Sequence, residues 1–272
     1  MPEWRLLITD PAAGHYNMAV DEAIMRSHRE GSTPPTLRFY SWKPPALSLG
    51  YFQQIEEIDR EACRKKGIDI VRRLTGGRAI LHDEELTYSL TVREDLDLLS
   101  DSVVESYRQI SEGLVGGLQK AGVQAELKPR QKGKKAPSGK SSACFDAPSW
   151  YEIVSDGKKL IGSAQTRKKG AILQHGSLPF RQDSKKIFDL FNFSSDHERE
   201  KLRRFYSLKS TSLGELGADS LSFEDLSEAL SRGISEALSI DLKTGSLTEK
   251  ERRLAGELAR EKYKSSTWNY RR

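Results

Sequence analysis

The segment from Leu86 to Val92 constrains the fold most, because apolar and polar residues alternate along it without a break. Its apolar residues share one face: Leu86, Tyr88, Leu90 and Val92. A period of two predicts a strand with one buried face. Just before it, the pair Gly76-Gly77 separates two further extended segments, 68–73 and 78–82. The pattern therefore predicts a sheet with several strands that are neighbours in the chain.

Helical and extended segments follow one another irregularly. Helices are predicted from about Asn17 and over 59–66, 102–121, 222–238 and 248–258, and strands over 36–41, 46–52, 150–155, 158–167 and 171–178. Asp156-Gly157 predicts a type I′ hairpin turn. This order favours an α/β (α+β) fold with a mixed sheet flanked by helices over a doubly wound nucleotide-binding fold. We expect a catalytic domain over 1–200 and a small helical segment over 201–272 that packs on it.

Composition excludes several classes of protein. The longest apolar runs are only a few residues, so we expect no membrane span. The first residues reach Asp10 too early for a signal peptide. Two cysteines in 272 residues do not make a disulfide framework, which favours a reducing, cytoplasmic location and free thiols. Cys63 and Cys144 have no nearby histidine at metal-ligand spacing, so no metal site is predicted.

A basic segment precedes the second cysteine. Between Leu127 and Ala143 there is no acidic residue, and the basic residues are Lys128, Arg130, Lys132, Lys134, Lys135 and Lys140. The segment is either a solvated loop or a docking surface for an acidic partner. It lacks the interleaved aromatic residues that stack on bases, so nucleic acid is not expected.

Nucleotide-binding motifs are not found in the sequence. There is no G-x-G-x-x-G, and five residues lie between Gly133 and Gly139-Lys140-Ser141 where a phosphate-binding loop has four. We therefore expect no phosphate-binding loop.

Cys144 and Lys159 are the candidates for chemistry. Cys144 follows the basic segment, and positive surroundings raise the thiolate fraction that a nucleophile needs. The alternative is a small buried apolar residue. Lys159 follows the hairpin turn, and because Lys158 and Lys159 point to opposite faces, only one can point inward. A lysine in an apolar site can transfer protons, whereas one at a strand edge is only a solvated charge.

The stretch Arg72–Asp83 is the second candidate site. Adjacent glycines allow the backbone to approach a ligand closely, and neighbouring arginines suit a carboxylate, phosphate or carbonyl group. The alternative is a glycine hairpin with surface arginines.

Five segments carry a resemblance to a known family. RRLTGGRAILHDEELTYSL resembles the R-R-x-x-G-G-x-x-x-x-H-D motif of the lipoate–protein ligase and lipoyl-transferase superfamily, which includes biotin ligases. NMAVDEAIMR, SSACFDAPSWYE, DGKKLIGSAQTRKKGAILQHGSL and KYKSSTWNYRR are similar to the LipM-type octanoyltransferases within it. The resemblance covers nearly the whole chain and implies a biotin ligase or class II synthetase-like core.

The resemblance implies roles for individual residues. Cys144 would take octanoyl from acyl carrier protein and pass it to a lysine of a lipoyl-domain protein such as the glycine cleavage H protein. Lys159 would form a dyad with Cys144. Residues that match the family's substrate-binding motifs are Arg73, Gly76, Gly77, His82, Gly162, Ser163 and Ala164. The resemblance implies an ATP-independent enzyme of protein lipoylation with no cofactor of its own, which agrees with the missing nucleotide-binding motifs. We expect a monomer.

Three other functions remain open on the same residues. An ATP-dependent lipoate or octanoate ligase would not need Cys144. An amidotransferase would use Cys144 but take octanoyl from another lipoyl domain. A non-catalytic acyl-binding protein would have no turnover, so a Cys144→Ser change could not alter it.

The basic segment yields a first prediction. Changing Lys132, Lys134 and Lys135 together to Glu should raise the KM for carrier-bound octanoate, because an acidic carrier protein would be repelled. Steady-state kinetics at low salt measure this effect. An unchanged KM would show that the segment does not dock the donor.

Overall fold

The fold consists of two sheets and the helices that cover them. The computed structural model describes residues 1–129 and 151–272. The strands are β1 Glu3–Ile8, β2 Thr36–Tyr40, β3 Ala46–Leu49, β4 Asp69–Arg72, β5 Ile80–His82, β6 Glu85–Arg93, β7 Glu126–Pro129, β8 Tyr151–Ser155, β9 Lys158–Lys168, β10 Ala171–Pro179 and β11 Asp241–Thr244. The helices are α1 Gly14–Arg29, α2 Arg60–Lys65, α3 Val103–Lys120, α4 Ser184–Phe188, α5 Asp196–Lys209, α6 Phe223–Leu238, α7 Glu249–Leu258 and α8 Ser266–Asn269.

Within the described residues, the larger sheet has eight strands in the order β11-β1-β2-β6-β10-β9-β8-β7. The pairs β11–β1 and β1–β2 are parallel, and the remaining neighbours are antiparallel. The smaller sheet has the order β4-β3-β5, with β3 parallel to β4 and antiparallel to β5. The glycine pair joins β4 to β5. The structure therefore confirms a mixed sheet flanked by helices.

Helices cover both faces of the larger sheet. One core lies between the sheet and the helices α3 and α6, and includes Ile110, Leu114, Leu230 and Ile234. A second core lies between the other face, α1 and α7. A third packs α2, α4 and α5 on the smaller sheet. None of the helices in the described ranges is long and apolar enough to cross a membrane.

Strand β6 differs from the expectation of a half-buried strand. Its polar residues Thr87, Ser89 and Thr91 are as buried as its apolar ones. The reason is that α1 covers the face on which these polar residues lie. Two of them donate hydrogen bonds to buried carboxylates, Thr87 to Glu85 and Ser89 to Asp21. The alternation of apolar and polar residues in β6 therefore gives the strand one apolar face and one polar face, and both are buried.

The segment 201–272 is not purely helical. Strand β11 lies in it and pairs with β1, so residues from both ends of the chain share one sheet edge. Neither strand is predicted from the sequence. Strand β11 is a short polar edge strand, and the apolar residues of β1 do not alternate regularly with polar ones. Residue 200 lies inside α5. The division into domains at that residue stays a prediction.

Helices α3 and α6 cross with their backbones in contact. A Cβ on Gly233 would lie 2.2 Å from the backbone nitrogen of Gly117 and 2.3 Å from the carbonyl oxygen of Gly113. A Cβ on Gly117 would lie 2.6 Å from the Cα of Leu230. Glycine is therefore required at this crossing, which joins the C-terminal segment to the rest of the fold.

Gly233→Ala should lower the free energy of unfolding by roughly 1–3 kcal/mol, because the new methyl group forces two helix backbones apart. Gly116→Ala is the matched control, since its Cβ would lie 3.9 Å from the nearest atom, the Cα of Gly233. The control should be neutral or stabilising by up to about 1 kcal/mol, because alanine favours the helix. Urea unfolding measures both, and equal effects would contradict the close crossing.

Candidate active site

The loop from Arg73 to Ala79 connects β4 to β5 and carries the glycine pair. Gly77 has a φ of +91°, a conformation that favours glycine. A neighbouring segment passes close to the loop: a Cβ on Gly50 would lie 1.8 Å from the carbonyl oxygen of Gly77. The backbone N–H of Tyr51 donates to the carbonyl oxygen of Thr75 over 2.8 Å. Glycine at position 50 allows this contact.

The buried side chain of Arg73 holds the loop. Its Nη2 donates to the carbonyl oxygens of Gly76 (2.8 Å) and Arg78 (2.7 Å). Its Nη1 donates to Ser48, at the carbonyl oxygen (2.8 Å) and at Oγ (3.1 Å). Its Nε donates to Thr75 Oγ1 over 3.2 Å. The guanidinium thus directs all five N–H groups at the protein, so it shapes the loop.

His82 is buried at the end of β5. Its ring stacks on Trp42 with centroids 4.0 Å apart. Nδ1 lies 2.6 Å from Glu85 Oε1, and Nε2 lies 2.7 Å from Ser48 Oγ. Glu85 also accepts hydrogen bonds from Thr87 and Ser177. These contacts hold the His82 ring in place, and both of its nitrogen atoms have partners within the protein.

His175 lies on β10 opposite Ala164 of β9. Its Nε2 is 2.6 Å from Thr75 Oγ1, and its Nδ1 is 3.6 Å from Asp21 Oδ2. Burial lowers the pKa of His175, although Asp21 opposes the shift. Burial alone would raise the pKa of Asp21, but Arg38 and His175 outweigh it and hold that pKa below its usual value. A neutral histidine therefore faces an ionised carboxylate.

Lys159 is buried on β9 close to the G-S-A segment. Its Nζ lies 3.3 Å from Glu152 Oε1 on β8. A Cβ on Gly162 would lie 3.8 Å from Lys159 Cε, so the lysine side chain passes beside this glycine. Lys158 points to the other face and is half-buried. The prediction that only one of these two lysines points inward is confirmed by their different burial.

Ser163 and Gly176 lie opposite one another on β9 and β10. Tyr88 donates its hydroxyl to Ser163 Oγ over 2.8 Å and accepts from Gln174 over 2.9 Å. A Cβ on Gly176 would lie 2.5 Å from Ser163 Oγ and 2.6 Å from Tyr88 Cε1. Glycine at position 176 therefore leaves the room that the pair Ser163–Tyr88 occupies.

Two adjoining cavities lie between β9, β10 and the smaller sheet. One, of about 20 Å³, is lined by Arg73, His82, Ala164 and His175 among others and has room for about one water molecule. The other, of about 60 Å³, is lined by Gly162 and by acidic and basic side chains including Asp83 and Lys186. Ile80 and Ser177 line both. No three His, Cys, Asp or Glu side chains are grouped as metal ligands within 1–129 and 151–272.

Comparisons with known proteins agree with the motifs. Residues 13–235 match the family model of the lipoyl protein ligase A/B catalytic domain. The chain is 50% identical over 277 residues to the octanoyltransferase LipM of Kyrpidia tusciae, which covers 100% of both chains. It is 43% identical over 273 residues to the octanoyltransferase LipM of Bacillus subtilis, which covers 99% of this chain and 98% of the relative.

The chain belongs to the LipM family of octanoyltransferases.

Two solved structures that resemble it are ligases. One reports a bi-partite lipoate protein ligase and its E2 lipoyl domain from Thermoplasma acidophilum, with a TM-score of 0.83, 28% identity, and coverage of 99% of this chain and 97% of that one. Another is a lipoate-protein ligase A bound with ATP, with a TM-score of 0.78, 30% identity and coverage of 98% of both chains. The LipM family therefore shares a fold with these ligases, which confirms the predicted fold class.

The structure brings most of the expected site residues of this LipM-family chain to one region. Arg73, His82 and Ala164 line the smaller cavity, and Gly162 lines the larger. Gly76 and Gly77 lie on the loop that Arg73 holds, and Ser163 is engaged by Tyr88. Cys144 and the basic segment beyond Pro129 lie outside the described residues. Their roles, like those of the other site residues, stay predictions.

Sequence reasoning missed the carboxylates and hydroxyls behind this region. Asp21 and Glu85 are buried, and each faces a histidine. One available signal was the pair Asp21-Glu22 within an otherwise apolar run of α1, because a carboxylate is rarely buried without a partner. Another was the spacing of His82 and Glu85, three residues apart around a tight turn.

His175 predicts a dependence of stability on pH. Its pKa is 6.5 in an unfolded chain and lower in the fold. The unfolded state therefore binds more protons below about pH 6.5, and the free energy of unfolding falls as the pH decreases from there. The slope from this group is at most about 1.4 kcal/mol per pH unit. Urea unfolding at pH 7 and pH 5 should show a smaller decrease for His175→Gln than for the parent. Equal decreases would contradict a buried neutral His175.

Proposed function

We propose that the chain transfers octanoyl from octanoyl-acyl carrier protein to a lysine of a lipoyl-domain protein, such as the glycine cleavage H protein. The observation that carries the octanoyl specificity is full-length identity of 42–50% to octanoyltransferases named LipM. A lipoyl-domain acceptor is supported by the related ligase that was solved with its E2 lipoyl domain. The carrier-protein donor and the choice of H protein are parts of the proposal.

The proposed reaction has two acyl transfers. The Cys144 thiolate attacks the octanoyl carbonyl carbon, the bond to the carrier's sulfur breaks, and the released carrier thiolate takes up a proton. The lysine amine of the acceptor then attacks the Cys144 thioester, an amide forms, and Cys144 leaves as a thiolate while the amine loses a proton. The first step exchanges one thioester for another and the second is downhill, so no ATP is required.

The surroundings of Lys159 support a role in proton transfer. The side chain is 8% exposed and approaches a carboxylate of Glu152, which is 36% exposed. A buried lysine beside a solvent-accessible carboxylate has a route by which protons can reach and leave bulk water. In its neutral amine form the side chain would accept the proton of the Cys144 thiol, and the ammonium so formed would return that proton to the carrier's sulfur, a contribution of about 10²–10⁴ in rate.

Donor docking is proposed to use the basic segment. Among its six basic residues, Lys128 lies within the described ranges; it is exposed on β7 and pairs with Glu126 over 2.7 Å. An acidic carrier protein could compete with Glu126 for this charge, because an exposed ion pair is worth little. This part of the proposal is tested by the charge reversal described above.

An ATP-dependent ligase is the second candidate, and the ligase bound with ATP at 30% identity favours it. A ligase would activate free octanoate as an acyl-adenylate and leave Cys144 unmodified. An amidotransferase would form the same Cys144 thioester but take octanoyl from another lipoyl domain. Donor and ATP requirement therefore distinguish the three activities.

The decisive experiment is intact-mass spectrometry after mixing the protein with octanoyl-carrier protein and no ATP. We expect an octanoyl-sized adduct on Cys144 that moves to added apo H protein. Cys144→Ser should form no thioester adduct and give no transfer. Cys63→Ser is the matched control and should retain both, because burial raises the pKa of Cys63 to about 12 and leaves it a protonated thiol. Acceptor octanoylation only with ATP and free octanoate would establish the ligase instead.

Lys159→Ala should lower the rate of adduct formation by about 10²–10⁴-fold, since a positioned proton acceptor is lost. Lys158→Ala is the control, because that side chain lies on the opposite face of the same strand and should leave the rate nearly unchanged. Rapid-quench mass spectrometry measures both rates. Equal rates for the two variants would exclude a special role for Lys159.

A further inference from the structure

Two chains of polar side chains meet at Arg73. In the first, Asp21 Oδ2 lies 3.6 Å from His175 Nδ1, and His175 Nε2 contacts Thr75, which accepts from Arg73 Nε. In the second, Glu85 faces His82, and His82 faces Ser48, which accepts from Arg73 Nη1. Each chain has the same order of groups: carboxylate, imidazole, hydroxyl and guanidinium. Arg73 and Thr75 belong to the 73–79 loop, and the other side chains of the two chains come from outside it.

Asp21 determines the direction of hydrogen bonding in the first chain. An ionised carboxylate only accepts, so Asp21 Oδ2, 3.6 Å from His175 Nδ1, favours the tautomer that carries its proton on Nδ1. Nε2 is then an acceptor, and the Thr75 hydroxyl, 2.6 Å away, donates to it. Thr75 Oγ1 also accepts from Arg73 Nε, because a guanidinium has only N–H donors.

The Arg73 guanidinium connects this chain of side chains to the backbone of the loop. Arg73 Nη2 binds the carbonyl oxygens of Gly76 and Arg78. In a trans peptide the N–H points opposite to the carbonyl, so the N–H of Gly77 points away from Arg73. A Cβ on Gly76 would meet no atom of the described residues within 4 Å. The orientation of the peptide between Gly76 and Gly77 depends on how Arg73 is held.

We propose that His175, oriented by Asp21, is a positioning residue for the octanoyl-transfer reaction, which it serves by fixing the Gly76–Gly77 loop through Thr75 and Arg73. This inference rests on the proposed function, because it assigns a task to the loop of that same site. His175 itself need not touch the acyl group. Its task is to keep an acceptor at Nε2, so that Thr75 is held against Arg73.

Two conservative variants separate positioning from simple packing. The amide of His175→Gln can place an acceptor near the position of Nε2 and preserve the bond from Thr75. The amide of His175→Asn can replace only the Nδ1 donor toward Asp21. Thr75→Val removes the hydroxyl with little change of shape, and Thr91→Val, at a buried threonine of β6 away from the loop, is the matched control.

The test measures transfer kinetics and amide hydrogen exchange in the full-length protein. We expect kcat to fall about 10- to 100-fold in His175→Asn and Thr75→Val, with a much smaller change in KM, because a misplaced loop impairs the reacting geometry. His175→Gln should recover most of the rate, and Thr91→Val should retain it. A loss equal in the Gln and Asn variants would overturn the proposal and make His175 a packing residue.

Hydrogen exchange makes the test independent of the reaction. The amide of Tyr51 donates to the carbonyl oxygen of Thr75, so it reports on the loop. Its exchange should accelerate in His175→Asn and Thr75→Val but not in His175→Gln, while amides of β6 and β10 stay protected. If the parent transfers octanoyl only with ATP, the proposed function fails and this measurement still tests the loop. Unchanged Tyr51 exchange in Thr75→Val would contradict the positioning role.

Discussion

Two consecutive buried guanidiniums, those of Arg72 and Arg73, hold the parts of the structure around the site. Taking such a group out of water is unfavourable unless its N–H groups are bonded, and here the partners are mainly backbone carbonyls. Arg72 binds the carbonyls of Gly50, Gln53 and Asn269, which joins the C-terminal helix to the small sheet. Burial lowers its pKa to about 10, so it remains a cation. Arg73 does the same for the glycine loop, and either chain segment can move only if a buried charge loses its partners.

The contacts of Arg72 and Arg73 also explain why the two cavities beside Arg73 and Gly162 are small. Carbonyl groups satisfy the arginines only when the loop and the segment at Gly50 approach within van der Waals distance, which glycine permits. The closed packing leaves about 20 Å³ beside Arg73 and about 60 Å³ beside Gly162. An eight-carbon chain needs more room than either. If the proposed acyl group binds beside Arg73 and Gly162, side chains that line both cavities, such as Ile80, would have to move while the arginine contacts persist.

Much of the fold followed from the sequence because period and turn residues report local structure. The alternation in β6, the Asp156-Gly157 hairpin and the apolar spacing of α3 and α6 all predicted elements that the structure contains. Strand β11 and the burial of both faces of β6 did not follow, because they depend on which distant elements pack together. The site divided in the same way. The glycines and arginines of the loop could be predicted from their spacing within one short stretch. Asp21 and His175 could not, because they lie on separate elements that come together only when the sheet forms.

The fold shared with ATP-bound ligases separates what the scaffold supplies from what single residues supply. At a TM-score of 0.78 and 30% identity, the arrangement of sheets and helices is common to this chain and the ligase bound with ATP. A ligase must create an activated acyl group from a free acid, whereas a thioester donor arrives activated. On the proposed route the chain needs only a second sulfur to hold octanoyl while the carrier leaves and the acceptor arrives. On that route one thiol is a sufficient addition to the common fold, because the arginine and glycine motif of the loop resembles that of the whole superfamily.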